Sequence, residues 1–162
     1  MWPPIATHRI AEMTAHETSY RLTFRDVDSM GILYYARYLF LFEMGRVEWM
    51  RDEGFSYRDM EEDMKLSLPV TRADCRYLAP LHYDDIAVVR TEIAAWTRTT
   101  LCFSHEVHRK ALGQFCAEGH VELGCLPHGE RKPVALPDSL IEVLENRAGD
   151  KKGRLRQVRA LF

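Results

Sequence analysis

Hydrophobic and polar positions change their spacing several times along this chain. Over Thr18 to Arg25, Tyr20, Leu22 and Phe24 alternate with Ser19, Arg21, Thr23 and Arg25, the period of two that marks a half-buried strand. From Leu33 to Met50 the alternation is gone. Tyr34, Tyr35, Tyr38, Leu39, Phe40, Leu41, Phe42, Met44, Val47, Trp49 and Met50 leave almost no polar face, which predicts a helix buried on most sides. Stepping roughly 100° per residue puts Arg37, Glu48 and Arg51 in one narrow solvent stripe. Glu43 and Arg46 fall elsewhere, at a spacing that lets them pair. Gly54 suits the stop of this helix, and Tyr57–Met64 reads as a short amphipathic helix.

Four strand-like runs follow, at Leu66–Leu78, Asp85–Trp96, Thr99–Lys110 and Gln114–Leu126. In the last, Phe115, Ala117, Gly119, Val121, Leu123 and Cys125 share one face, and Glu118, His120 and Glu122 the other. The joints between these runs are short, and short joints connect antiparallel neighbours. A final helix is expected over Ser139–Asn146, with Asp138 or Ser139 as its cap. The expected fold is therefore α+β: an antiparallel sheet of about five strands curled around one long central helix. Residues 1–17 read as a loose leader, 18–146 as a single domain and 147–162 as a basic tail.

Composition narrows the function classes. The chain has 162 residues and a formal net charge of −2, so no global basicity suggests a nucleic-acid partner. The charge is uneven, about +5 over 147–162 against about −7 elsewhere, and the basic end reads as a solvated terminus. Cys75, Cys102, Cys116 and Cys125 show no C-x-x-C spacing, which argues against a zinc knuckle or disulfide framework. No run of 18 apolar residues suggests a membrane span, and the first 17 residues lack the apolar core of a signal peptide. A cytoplasmic, reducing location is expected. His105 and His108 lie three apart on one strand, on opposite faces, so they make poor joint metal ligands, and no metal site is expected. G-x-S-x-G and G-x-x-x-x-G-K-[ST] are both missing.

Candidate chemistry concentrates in Asp28-Ser29-Met30-Gly31-Ile32-Leu33-Tyr34-Tyr35. A carboxylate here stands beside the start of the long helix. Unsatisfied backbone N–H groups at such an end can bind a developing oxyanion. An acid plus an oxyanion site is apparatus for acyl transfer. The competing explanation is that Asp28 simply caps the following helix. Gly31 supplies a turn and lets a substrate approach the backbone. Asp26 is the rival acid, pointing to the other side if the strand continues.

The run Asp26-Val27-Asp28-Ser29-Met30-Gly31-Ile32-Leu33-Tyr34-Tyr35-Ala36-Arg37-Tyr38 resembles the signature of hotdog-fold thioesterases. It is most similar to the 4-hydroxybenzoyl-CoA thioesterase-like group, including its Tol–Pal-associated bacterial branch. Tyr83-Asp84-Asp85, Ile93-Ala94-Ala95-Trp96 and Arg131-Lys132-Pro133-Val134-Ala135-Leu136-Pro137 extend the likeness over roughly Ser19 to Asn146. The resemblance implies hydrolysis of acyl-coenzyme A, with coenzyme A part of the substrate, no separate cofactor and no metal. It implies a homodimer or homotetramer with active sites at the dimer interface. Asp28 matches the catalytic carboxylate, as nucleophile or general base. Tyr35 matches a position whose backbone N–H polarises the carbonyl. Arg37 stands where Asn is frequent and inherits no role from it. Tyr34, Tyr38, Phe42 and Leu68 are candidate walls of the acyl pocket, or plain core. Arg98, and less so Arg131 and Lys132, are candidates for the phosphates of coenzyme A. Rival expectations are an acyl-carrier-protein thioesterase, a dehydratase of the same architecture and a non-catalytic acyl-CoA binding protein. The dehydratase usually needs a His in the Asp28–Tyr38 segment, and none is there.

Overall fold

The computed structural model describes residues 15–148. The tail from 149 onward lies outside these residues, as does the leader except for its last three positions. His16 and Glu17 already belong to a strand. The elements are β1 His16–Arg21, α1 Arg37–Asp52, α2 Tyr57–Glu62, β2 Leu66–Ser67, β3 Val70–Tyr77, β4 Ile86–Trp96, β5 Thr100–Arg109, β6 Gln114–Gly124, β7 Leu126–Pro127 and α3 Asp138–Ala148. Five strands form one antiparallel sheet in the order β1-β4-β5-β6-β3, and β2 pairs with β7 in a separate ribbon. The α+β expectation holds, with three boundary corrections.

First, β1 ends at Arg21, not Arg25, because Phe24–Asp26 turn into a 3-10 helix. Second, the run Leu66–Leu78 is two strands. Pro69 interrupts it, since proline has no N–H to give a ladder, and its carbonyl instead accepts Gly124 N–H at 3.0 Å. Third, α1 starts at Arg37 rather than Leu33. Residues 27–33 close on themselves first, in a small hairpin with a Val27–Leu33 bridge.

α1 lies across the inner face of the sheet at very close range. A β-carbon at Gly45 would sit 2.3 Å from Thr91 Oγ1, and one at Gly119 would sit 2.6 Å from the Phe42 ring. Two glycines thus let helix and sheet approach where any side chain would force them apart. Phe42 stacks on His105 with ring centroids 4.7 Å apart, and Trp49 meets Phe103 edge-on at 5.4 Å. The helix ends in a Schellman motif: Phe55 N–H donates to Met50 C=O at 2.8 Å and Gly54 N–H to Arg51 C=O at 3.0 Å, with Gly54 at φ +87°. Arg51 pairs with Glu48 as the solvent stripe requires. Arg37 leaves that stripe for a buried partner described below. Arg46 is buried and faces the Tyr57 phenol rather than solvent.

The registers give the sheet two distinct ends. Arg21 opposite Ile86, the β5–β6 hairpin and Tyr77 lie at the end where α1 starts. Val70, the 97–99 turn and β7 lie at the end where α1 stops, marked by the His16–Asp52 contact. Eight residues of β3 separate the two ends, or about 25 Å.

His105 is buried, with its Nδ1 3.1 Å from the Thr91 hydroxyl. Burial, helped by Arg46 and His120, brings its pKa down to about 3. The unfolded chain takes up this proton near its ordinary pKa of about 6.5, and the folded chain does not until far lower. Stability is therefore fully present above that value and lost as pH falls toward 3. Moving from about pH 7.5 to about pH 5 should cost about 2 kcal/mol from this group. Urea unfolding at the two pH values checks it, and His105→Gln should remove most of the difference.

Candidate active site

The segment between β1 and α1 hangs from Asp26, which is fully buried. Its carboxylate accepts from Thr23 N–H at 2.7 Å, the Thr23 hydroxyl at 2.8 Å, the Tyr20 hydroxyl at 3.0 Å and Arg37 Nη2 at 2.5 Å. Burial alone would push this carboxyl up. The Thr23 N–H and hydroxyl, with Arg37 and Tyr20, outweigh burial and hold it below its usual value. The Asp26 carbonyl also accepts Tyr34 N–H at 2.9 Å. Arg37 completes the arrangement by lying 4.2 Å over the Phe40 ring. A cation at a helix start is unfavourable by a few tenths to 1 kcal/mol, and Asp26 offsets it.

Asp28 opens the hairpin beyond this anchor and is only half-buried. Its Oδ1 accepts Met30 N–H at 2.8 Å, and its carbonyl accepts Gly31 N–H at 2.9 Å. Aspartate commonly ties its own turn this way. Gly31 closes the turn at φ +75°. Asp28 therefore caps its own turn rather than the helix, which leaves Oδ2 without a hydrogen bond among the described residues.

The approach to α1 leaves amide hydrogens open. Leu33 N–H donates to Leu81 C=O at 2.7 Å and Arg37 N–H to Tyr34 C=O at 2.8 Å. Between them, the N–H groups of Tyr35 and Ala36 donate to no acceptor among the described residues. Tyr35 is 62% exposed. Ala36 caps the helix with no side-chain hydrogen bond, and no acid sits in the first turn. The positive end of α1 is thus open to an anionic oxygen.

A profile of the thioesterase-like superfamily matches residues 22–144. The chain belongs to this superfamily. An acyl-CoA thioesterase of Haemophilus influenzae, YbgC, is 31% identical over 117 residues, covering 72% of this chain and 85% of that one. A DHNA-CoA thioesterase of Staphylococcus aureus superposes with TM-score 0.79 at 26% identity, covering 87% of this chain and 96% of that one. The fold alone is shared with a 1,4-dihydroxy-2-naphthoyl-CoA thioesterase of Synechocystis, at TM-score 0.75 and 21% identity, over 81% of this chain and 96% of that one. The hotdog architecture expected from the sequence is the architecture of this thioesterase-like chain.

Within this superfamily member, the residues singled out from the sequence divide into two groups. Asp28, Gly31, Tyr34 and Tyr35 share one short segment at the start of α1. Tyr34 is exposed, with its ring 4.7 Å from that of Tyr35. Tyr38 is buried and edge-on to Tyr77 at 5.1 Å, and Phe42 is fully buried, so both pack as core. Leu68 and Arg98 lie at the other end of the sheet. Leu68 lines a cavity of about 360 Å³ with Tyr57, Glu61, Ser67, Pro69, Leu126, Pro127, Gly129 and Glu130. Arg98 is exposed, in the turn whose carbonyl accepts Leu136 N–H at 2.8 Å. Arg131 and Lys132 are exposed in the segment leading to Leu136. Among the described residues no His, Cys, Asp and Glu side chains group as a metal centre. Tyr77 is the residue sequence reasoning passed over. Its place at the end of a strand gave no periodic signal of a contact to the helix start.

The two acids should separate cleanly in stability. Asp26→Asn leaves Arg37 without its counter-charge and should cost about 3 kcal/mol. Asp28→Asn keeps an oxygen for Met30 N–H and should change stability by less than about 0.5 kcal/mol. Urea denaturation of the two variants checks the contrast.

Proposed function

We propose that this chain hydrolyses the thioester of an acyl-coenzyme A to the free acid and coenzyme A. The observation that carries the reading is the open pair of N–H groups at Tyr35 and Ala36 beside the Asp28 turn, in a chain similar to a protein named as an acyl-CoA thioesterase. The thioester carbonyl accepts the Tyr35 N–H as it gains negative charge. One well-aimed donor of this kind is worth about 3–4 kcal/mol of barrier. Asp28 acts as general base, taking a proton from the water that attacks the carbonyl carbon. The carbon–sulfur bond then breaks, and the thiolate leaves without a dedicated acid. The competing route has Asp28 attack directly, forming a mixed anhydride that water opens. The exposure of the segment favours the water route.

Support for a paired assembly comes from the division of the site residues. Leu68 and Arg98 stand a sheet-length away from Asp28 within a single chain. β3 is an edge strand with most residues exposed, and unpaired strand edges accept another strand. Antiparallel pairing of β3 with a second copy brings the Leu68 and Arg98 end of one chain to the Tyr35 end of the other. The partner then supplies an apolar wall and a cation for the phosphates of coenzyme A.

A panel of aryl, short-chain and medium-chain acyl-CoAs should show hydrolysis, and Asp28→Asn should lower turnover at least about a hundredfold. Retained activity in that variant removes Asp28 from the mechanism. Activity confined to thioesters on an acyl carrier protein turns the reading to that carrier, and binding without hydrolysis turns it to an acyl-CoA binding protein. Light scattering should give a mass of at least two chains. A fully active monomer refutes the shared site.

A further inference from the structure

We infer that Tyr77 is a positioning residue for the proposed hydrolysis: from the edge strand it holds the Tyr35–Ala36 peptide out of the helical ladder, so that the neighbouring N–H groups stay open. The inference rests on the acyl-CoA reading and adds a residue to it.

At the start of α1, the Tyr35 carbonyl stands where the first intrahelical bonds should form. It does not receive the amide four residues on, because Leu39 N–H donates to the Ala36 carbonyl at 3.2 Å. The Tyr35 carbonyl accepts the Tyr77 hydroxyl instead, at 3.1 Å. A strand side chain from 42 residues away thus captures a group that the helix leaves free. The peptide plane makes this capture informative. In a trans peptide the C=O and N–H lie on opposite sides, so fixing the Tyr35 carbonyl also fixes the direction of the Ala36 N–H. It restrains the Tyr35 backbone as well, and with it the Tyr35 N–H.

Tyr77 is itself well held. It pairs with Ala117 at the end of β3, and its ring rests edge-on against buried Tyr38 at 5.1 Å. Its hydroxyl is pushed up to about 12 by burial and by the neighbouring Cys75. It therefore stays protonated, and able to donate, over the whole working range of pH. Tyr77 is 49% exposed and belongs to the strand whose free edge would meet a second copy. The same residue thus links that edge to the amides that would meet the carbonyl.

The test is Tyr77→Phe, which removes one hydroxyl and keeps the ring against Tyr38. Turnover should fall about tenfold while KM stays within about twofold, since only the aim of transition-state donors is loosened. The NMR order parameters of the Tyr35 and Ala36 amides should fall from the rigid range toward the flexible one, and this readout needs no substrate. Turnover within about twofold of wild type overturns the inference, as does a loss confined to KM. Unchanged order parameters at both amides also overturn it. O-methyltyrosine at position 77 blocks the donor by a second route and should reproduce the loss. Asp28→Asn run alongside separates the failures. A dead Asp28→Asn with a normal Tyr77→Phe sinks this inference alone, whereas an active Asp28→Asn sinks the mechanism beneath it.

Discussion

A single buried carboxylate decides the path of the chain between its first strand and its long helix. Asp26 has no solvent and four donors drawn from Tyr20, Thr23 and Arg37. A buried charge is tolerable only when its lone pairs are filled and a counter-charge is near. Both conditions are met, and meeting them ties β1, the turn after it and the first residue of α1 to one point. Asp28, two residues on, is then free of structural duty beyond its own turn. Two acids so close in sequence thus divide the work, one as anchor and one left with an open oxygen.

The anchor would matter little if the helix could roll. Gly45 against Thr91 and Phe42 against Gly119 bring α1 down onto the sheet at distances no larger side chain permits. Rolling the helix by one residue would drive a side chain into Thr91 or lift Phe42 off the sheet. Interiors packed this closely move between discrete arrangements rather than sliding. The amides at the start of α1 therefore keep the heading that Asp26 and the sheet contact give them. Beneath the helix, His105 makes one hydrogen bond, with the Thr91 hydroxyl, and burial keeps its ring neutral.

Much of this was legible in the sequence, because alternation and joint length carry topology. The faces of β6 follow the expected alternation from Ala117 to Leu123, while an irregularity opposite Val107 and His108 turns Phe115 onto the His108 ring and buries Cys116, and the short joints gave the antiparallel meander. The Asp28 segment stood out because its carboxylate and glycine sit between a strand and a long apolar helix, the position they hold in the thioesterase signature it resembles. What escaped was set by partners distant in sequence. The start of α1 moved to Arg37 because residues 27–33 prefer their own hairpin and a bond to Leu81, which no helical window registers. Arg37 looked solvent-facing on a helical projection, since a projection is blind to Asp26. Tyr77 was missed for the same reason, its partner lying 42 residues earlier. Pro69 was visible, but the strand-like residues on both sides of it read as one run.

The separation of Asp28 from Leu68 and Arg98 by the length of a strand bears on how such a site tolerates damage. A copy spoiled at Asp28 and another spoiled at Arg98 each carry one sound half. In the proposed assembly paired through β3, mixing the two would give some pairs in which both sound halves meet, so one working cleft would reappear from two damaged parents. Lesions at opposite ends of this sheet would then mask one another in a cell that makes both, while lesions at the same end would not.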